Sequence, residues 1–325
     1  MTVTAVSLFS GCGGFDWGAQ LAGVNILWAN DIDRDAAAAY RSLFPDVEFS
    51  HGDIKDIAVF PEADILIGCY PCTGFSVAAR RRWHDRKTRD LKQTKGNFLY
   101  LEFLRALKIV KPKFFFVENV SGMLSALDGW FFKEQLKGFE DAGYIPEPKL
   151  LRAVDYGAPQ ERKRIFIVGI REDIASQFSY TFPEPTHGPG RSADYVTLRQ
   201  AIGEMEPWPE GEFSSEPFHG HYLTRNRKRG WDQPSYTIVA NASHVVLHPM
   251  GDPMRFVSKD CWELVGDENR RLSWKECRRI QCLPDALDFD GTLNAKYKVV
   301  GNAVPPVFAK ALLKPAVQYL TQSHG

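Results

Sequence analysis

The sequence predicts an α/β fold: a mostly parallel β-sheet with helices on both faces, joined to a smaller, loop-rich region. Three observations lead there. Between residue 3 and about residue 169, short apolar runs rich in β-branched and aromatic residues alternate with stretches of helical periodicity, the pattern of β-α-β units. From about residue 172 to 270 that periodicity fades, and Pro183, Pro185, Pro189, Pro207, Pro209, Pro217, Pro234, Pro249 and Pro253 punctuate the chain. Glycine or polar side chains follow each strand of the first half.

Residues 3–9 form a buried strand by length and β-branching. The turn Gly11-Cys12-Gly13-Gly14 follows, then a helix to about Ala22. Residues 26–29, 47–49, 65–68 and 114–117 supply four further strands, with helical patterns over 34–44 and 98–110. Two later strands are expected near 150–154 and 165–169. Helical patterns return over 273–281 and from about 306 to 320.

The chain has 325 residues, 44% of them hydrophobic, enough for two modest domains around a real core. Its net charge is zero, so any nucleic-acid surface must be a local basic patch. Cys12, Cys69, Cys72, Cys261, Cys277 and Cys282 are expected to be free thiols in a reduced, cytoplasmic protein, since the N-terminus carries no signal-peptide pattern and no apolar run is long enough to span a membrane.

In open parallel sheets, ligands bind beyond the carboxyl ends of the strands. Those ends carry Ser10-Gly11-Cys12-Gly13-Gly14, Asn30-Asp31-Ile32, Asp53-Ile54, Pro71-Cys72 and Glu118-Asn119. Glycines at the first end let main-chain amides approach a ligand at a helix N-terminus, and Asp31, 20 residues beyond Gly11, stands where an acid commonly binds ribose hydroxyls. The turn is not G-x-G-x-x-G, so a dinucleotide is not implied. A thiolate at Cys72 would be a strong nucleophile, and between Arg80 and Lys95 eight Lys/Arg stand against two Asp, a local charge of +6. The alternatives are a buried structural cysteine and a solvated loop. Cys69 and Cys72 are formally C-x-x-C, but no second pair has metal-ligand spacing, so no metal is expected. Glu118, at the end of four apolar residues, is either a structural acid paired to Arg or a group that protonates a ring nitrogen.

Taken together, these residues resemble the bacterial DNA cytosine-5 methyltransferase family over nearly the whole chain. Phe9-Ser10-Gly11-Cys12-Gly13-Gly14 resembles its cofactor motif, and Asp31, Asp53 and Ile54 its next cofactor contacts. Pro71-Cys72 is similar to its catalytic dipeptide, Glu118-Asn119-Val120 to its Glu-Asn-Val, and Gln160-Glu161-Arg162-Lys163-Arg164 to its Gln-x-Arg-x-Arg. Arg271-Leu272-Ser273 through Glu276, Arg279, Gln281 and Pro284 resembles the segment supporting target recognition, and Gly301-Asn302-Ala303-Val304-Pro305-Pro306 the last motif.

The resemblance implies a Rossmann-like S-adenosylmethionine-dependent methyltransferase sheet with a smaller target-recognition domain: residues 1–175 catalytic, 176–270 recognition, 271–295 support, 296–325 returning to the catalytic domain. It implies Cys72, Glu118, Arg162 and Arg164 as catalytic residues. Phe9, Ser10, Gly11, Cys12, Gly13, Gly14, Asp31, Ile32, Asp53, Ile54, Asn302 and Ala303 would hold S-adenosylmethionine. The substrate would be duplex DNA with the target cytosine swung out of the stack, contacted by Ser76, Arg80, Arg81, Arg82, Thr237, Arg225 and Arg227. A restriction endonuclease acting separately fits the same setting, and a monomer is expected.

The sequence departs from the family at Thr73, where Gln is usual, at Cys69-Tyr70, where glycine usually stands, and at Cys282-Leu283 before Pro284. Three rival readings make different demands on the residues. A tRNA-modifying relative would carry Cys-Phe-Thr where this chain has Cys261-Trp262-Glu263. An amino-group methyltransferase would carry Pro-Pro-aromatic after the fourth strand. A non-catalytic DNA-binding relative would be free to lose Cys72, Glu118, Arg162 or Arg164.

Overall fold

The computed structural model describes residues 2–71, 75, 91 and 94–322. The first half runs β1 (Val3–Leu8), α1 (Gly14–Leu21), β2 (Val24–Asp31), α2 (Arg34–Leu43), β3 (Glu48–His51), β4 (Ile65–Gly68), α3 (Tyr100–Val110), β5 (Phe114–Val120), α4 (Trp130–Glu140), β6 (Tyr144–Arg152) and β7 (Lys163–Arg171). The seven strands form one sheet in the order β3-β2-β1-β4-β5-β7-β6. β3, β2, β1, β4 and β5 are mutually parallel, and β7 is antiparallel to both neighbours. The chain order reverses across β1, which puts a topological switch point between β1 and β4. The register pairs Leu8 with Asn30 and with Gly68, and Gly68 with Val117. The segments leaving these strands therefore emerge side by side at one edge.

Three elements differ from the sequence-based expectation. The strand expected at 150–154 begins at Tyr144 and ends at Arg152, where a 3-10 turn over Ala153–Tyr156 takes over. Pro146 and Pro148 argue against an interior strand, but β6 is a sheet edge, where a missing N–H costs nothing and blocks pairing with other chains. Helix α4 and the later α7 (Leu293–Asn302) had no clear periodicity; α4 buries only Phe131, Gln135 and Phe139.

The second half holds few regular elements: α5 (Leu198–Ile202), a hairpin of β8 (Arg255–Ser258) with β9 (Cys261–Glu263), α6 (Trp274–Ile280), α7, and α8 (Pro306–Gln322). Gln160–Glu161 pairs in parallel with Ser235–Tyr236. One apolar cluster joins Tyr40 of α2 and Phe44 at its C-terminal end to Ile202, Ile238, Trp274 and Val300. Helix α8 lies against α1 so closely that a Cβ on Gly14 or Gly18 would sit 2.4 Å from the carbonyl oxygen of Val304 or Pro306.

Asp16, in the first turn of α1, is fully buried and accepts hydrogen bonds from Ser7 Oγ (2.7 Å) and Tyr40 Oη (2.8 Å). Burial outweighs both bonds and pushes its carboxyl from 3.8 up to about 6. The folded chain thus holds this proton more tightly than the unfolded chain. The stability it contributes is complete below about pH 3.8 and is lost as pH rises through about 6. Relative to wild type, Asp16→Asn should gain about 3 kcal/mol between pH 4 and pH 7. Denaturant midpoints at the two pH values check this, and a gain in the opposite direction would refute it.

Candidate active site

The turn after β1 is built for close approach to a ligand. Phe9, Gly11 and Gly13 all have positive φ (55°, 57° and 82°), and α1 starts immediately beyond at Gly14. At Gly11 an added Cβ would meet nothing within 4 Å, so this wall is bare main chain. The Gly11 amide donates to Asp31 Oδ2 (2.8 Å), and Asp31 Oδ1 accepts from the Asp33 amide (2.8 Å). Burial pushes the Asp31 carboxyl up despite these two bonds. Asn30 donates to the carbonyls of Ser50 and Gly52, locking the end of β2 to that of β3. Lys298 of α7 ion-pairs with Asp33, the N-cap of α2.

A cavity of about 670 Å³, within the range of small-molecule sites, opens along these strand ends. Of the expected cofactor residues, Phe9, Ser10, Gly11, Cys12, Gly14, Asp31, Ile32, Asp53, Ile54, Asn302 and Ala303 line it. Gly13 does not: its outer side faces α2, where a Cβ would be 2.3 Å from the Phe44 ring. The Cys12 side chain is buried, and burial pushes the thiol up to about 12. The sequence reading missed Lys95, Gly96, Leu99, Lys298 and Val304, which also line the cavity. Lys95 stands at the end of the basic run and Val304 within the Gly301–Pro306 motif; the other three carried no signal.

Tyr70, Pro71, Glu118, Asn119, Arg162 and Arg164 line the same cavity. Glu118 is 8% exposed, and its Oε1 lies 2.7 Å from Arg164 Nε. Both the acid and its partner Arg were anticipated; the register Val120↔Arg164 across β5 and β7 brings them together. Arg162 behaves differently. It is 1% exposed and donates through Nη1 to the carbonyls of Ile238 (3.2 Å) and Gly301 (3.1 Å). Burial, with Arg164 nearby, pulls its guanidinium down to about 9. Nη1 thus ties two distant segments together, while the buried Nε has no partner among the described residues and the residue still lines the cavity.

The expected DNA contacts fare unevenly. Arg227 is 3% exposed, and its guanidinium donates to the carbonyls of Tyr222 and His244 over the Tyr222 ring, so it is not available to phosphate. The Thr237 hydroxyl donates to the Glu161 carbonyl, which ties it to the Arg162–Arg164 segment. Arg225 is exposed. Cys72, Thr73, Ser76, Arg80, Arg81 and Arg82 lie outside the described residues. Every described cysteine is a free thiol, no cluster among the described residues could hold a metal ion, and none of their helices is long and apolar enough to cross a membrane.

A glycine turn, an acid at the next strand end and a cavity at the switch point define a nucleoside-cofactor site of the doubly wound class. The family model for the C-5 cytosine-specific DNA methylase matches residues 3–318. The chain belongs to that family and is an S-adenosylmethionine-dependent DNA cytosine-5 methyltransferase. It is 36% identical over 367 residues to the type II methyltransferase M.BsuRI of Bacillus subtilis, covering 99% of this chain and 81% of that protein. Against M.BspRI of Lysinibacillus sphaericus it is 38% identical over 365 residues, covering 98% and 83%. In fold it matches the solved Entamoeba histolytica methyltransferase EhMeth, with a TM-score of 0.69, 17% identity and coverage of 98% of this chain and 99% of that one.

Proposed function

We propose that this chain methylates carbon 5 of a cytosine flipped out of a specific duplex DNA site, through a covalent bond between Cys72 and carbon 6. The observation that carries the proposal is the Glu118–Arg164 pair, set in the cavity that also holds the glycine turn and Asp31. S-adenosylmethionine, when bound, supplies an electrophilic methyl group. The glycine turn, Asp31, Asp53 and Asn302 fit it: bare main chain at Gly11, an acid fixed by two amides and a cavity of the right size. The Cys72 thiolate adds to carbon 6, and Glu118 donates a hydrogen bond or proton to ring N3, so electron density gathers at carbon 5. After carbon 5 is methylated its proton passes to solvent, the carbon 6–sulfur bond breaks to give back the thiolate, and N3 returns its proton to Glu118. Arg164 fixes the Glu118 carboxyl, while Arg162 holds the last motif and the Ile238 segment against the site.

Residues 176–270 would read the target site, with 271–295 supporting them and 296–325 closing back beside the cofactor. The type II names of the relatives support a role in a restriction–modification pair, with a nuclease acting separately. The test is methyl incorporation from labelled S-adenosylmethionine into duplex DNA, with nucleoside analysis of the product. Wild type should yield 5-methylcytosine, and Glu118→Gln should be slower by about 10²–10⁴-fold. Label on an amino nitrogen, or only in RNA, would overturn the reading.

A further inference from the structure

Between the end of β4 and Cys72 stands Tyr70, a residue the proposed chemistry does not use. It is 3% exposed and sits in the apolar cluster beneath the cavity. Its hydroxyl donates to Gln135 Oε1 at 2.6 Å. Gln135, on α4, is itself 1% exposed, and its amide nitrogen points at Met123 Sδ (3.2 Å), just past β5. The Tyr70 carbonyl accepts from Asn119 Nδ2 (3.3 Å), whose Oδ1 accepts from the Val120 amide (2.8 Å). The Tyr70 ring meets Phe9 edge-on at 6.1 Å, and Phe9 belongs to the glycine turn. Through its hydroxyl, its ring and its carbonyl, this one residue ties the segment that carries the proposed nucleophile to α4, to the glycine turn and to the strand end that carries the acid.

Packing alone does not explain the hydroxyl. A phenylalanine would fill the same apolar space, and replacing both partners of a buried hydrogen bond by apolar groups is nearly neutral for stability. What a short bond adds is direction: it fixes the ring and the peptide behind it. Only Pro71 separates Tyr70 from Cys72. Proline locks its own φ near about −65° and restricts the residue before it to extended conformations, so few torsions can absorb a rotation at Tyr70.

We propose that Tyr70, held by Gln135, is a positioning residue that aligns the Pro71-Cys72 segment with Glu118. This rests on the assignment of Cys72 as nucleophile. The test compares wild type, Tyr70→Phe and the double variant Tyr70→Phe/Gln135→Met. It reads single-turnover methylation at saturating DNA and S-adenosylmethionine, the KM for each, and thermal midpoints. Tyr70→Phe should slow the single-turnover step by about 10- to 10²-fold, the scale expected for misplaced reacting groups, with both KM values within about twofold. The double variant should regain the wild-type midpoint and remain slow. A role in folding alone predicts that its rate recovers with its stability, which would overturn the proposal. Wild-type rates in Tyr70→Phe would also overturn it while leaving the function intact. If wild type itself made no 5-methylcytosine, the function reading would fall and this inference with it.

Discussion

Cys72→Ser is expected to abolish 5-methylcytosine formation while leaving binding of S-adenosylhomocysteine and DNA near wild-type levels. A serine hydroxyl is not ionised at neutral pH and lacks the nucleophilicity of a thiolate, and no group on the cavity wall can replace it. Two cysteines line the cavity among the described residues, Cys12 and Cys69. Burial pushes Cys12 up to about 12, and it pushes Cys69 well above the usual thiol value, with Glu118 adding to the effect. Both stay neutral and unreactive, so neither can rescue the variant. The complementary substitution, Cys69→Ala, should keep activity within about an order of magnitude, because it removes no reacting group. A duplex with 5-fluorocytosine at the target separates the cases further. Fluorine cannot leave carbon 5 as a proton does, so wild type should be trapped as a covalent protein–DNA adduct on a denaturing gel and Cys72→Ser should not. An adduct with Cys72→Ser, or one lost in Cys69→Ala, would place the nucleophile elsewhere.

Most of the sheet and most of the cavity lining were legible because both rest on local signals. A β-branched run, a glycine turn and an acid 20 residues later are all visible within about 30 positions, and a parallel sheet then forces them to one edge. Contacts across the chain were not legible. Nothing near Arg162 announces that it meets the Ile238 and Gly301 carbonyls, 76 and 139 residues away. Arg227 stands in a cluster of cations that reads as a phosphate grip, yet the Tyr222 ring and two carbonyls enclose it, and enclosure leaves no mark in a local pattern. Gly13 failed for a related reason. Four residues of a turn look alike in sequence, and only the packing of α2 decides which of them face inward. Helix α4 was hidden because its buried face holds a glutamine, and Gln135 there answers to Tyr70 and not to a hydrophobic period.

The same logic puts the largest stability effect far from the chemistry, at Arg270 and Glu276. Glu276 is wholly buried and Arg270 is 2% exposed, and the guanidinium grips the carboxylate with two bonds of 2.8 and 2.7 Å. Glu276 also accepts from the Ser273 amide in the capping box that starts α6, and Arg270 donates to the carbonyls of Pro207 and Arg271. One pair thus anchors several loops of an otherwise irregular region to a helix. Removing one partner leaves a buried charge alone, so Arg270→Met should cost about 3–5 kcal/mol, whereas Arg270→Met/Glu276→Leu should recover much of it. His248 lies 3.4 Å from Glu276, but burial, Arg270 and Lys228 depress its imidazole to about 3, so it stays neutral and cannot stand in for the arginine in the native state. That depression also sets a pH dependence. The unfolded imidazole gains its proton near 6.5 and the folded one only near 3, so the stability His248 contributes is present above about pH 6.5 and declines as pH falls through that window. In Arg270→Met the strongest neighbouring cation is gone and Glu276 is unpaired. The imidazole should then hold a proton far more readily, and the acid-side loss should shrink even though the variant is weaker at pH 7. Denaturant titrations of the three proteins at pH 5 and 7 test both parts. An Arg270→Met variant as stable as wild type at pH 7, or one with a steeper acid-side loss, would show that this pair does not hold the loop-rich region together.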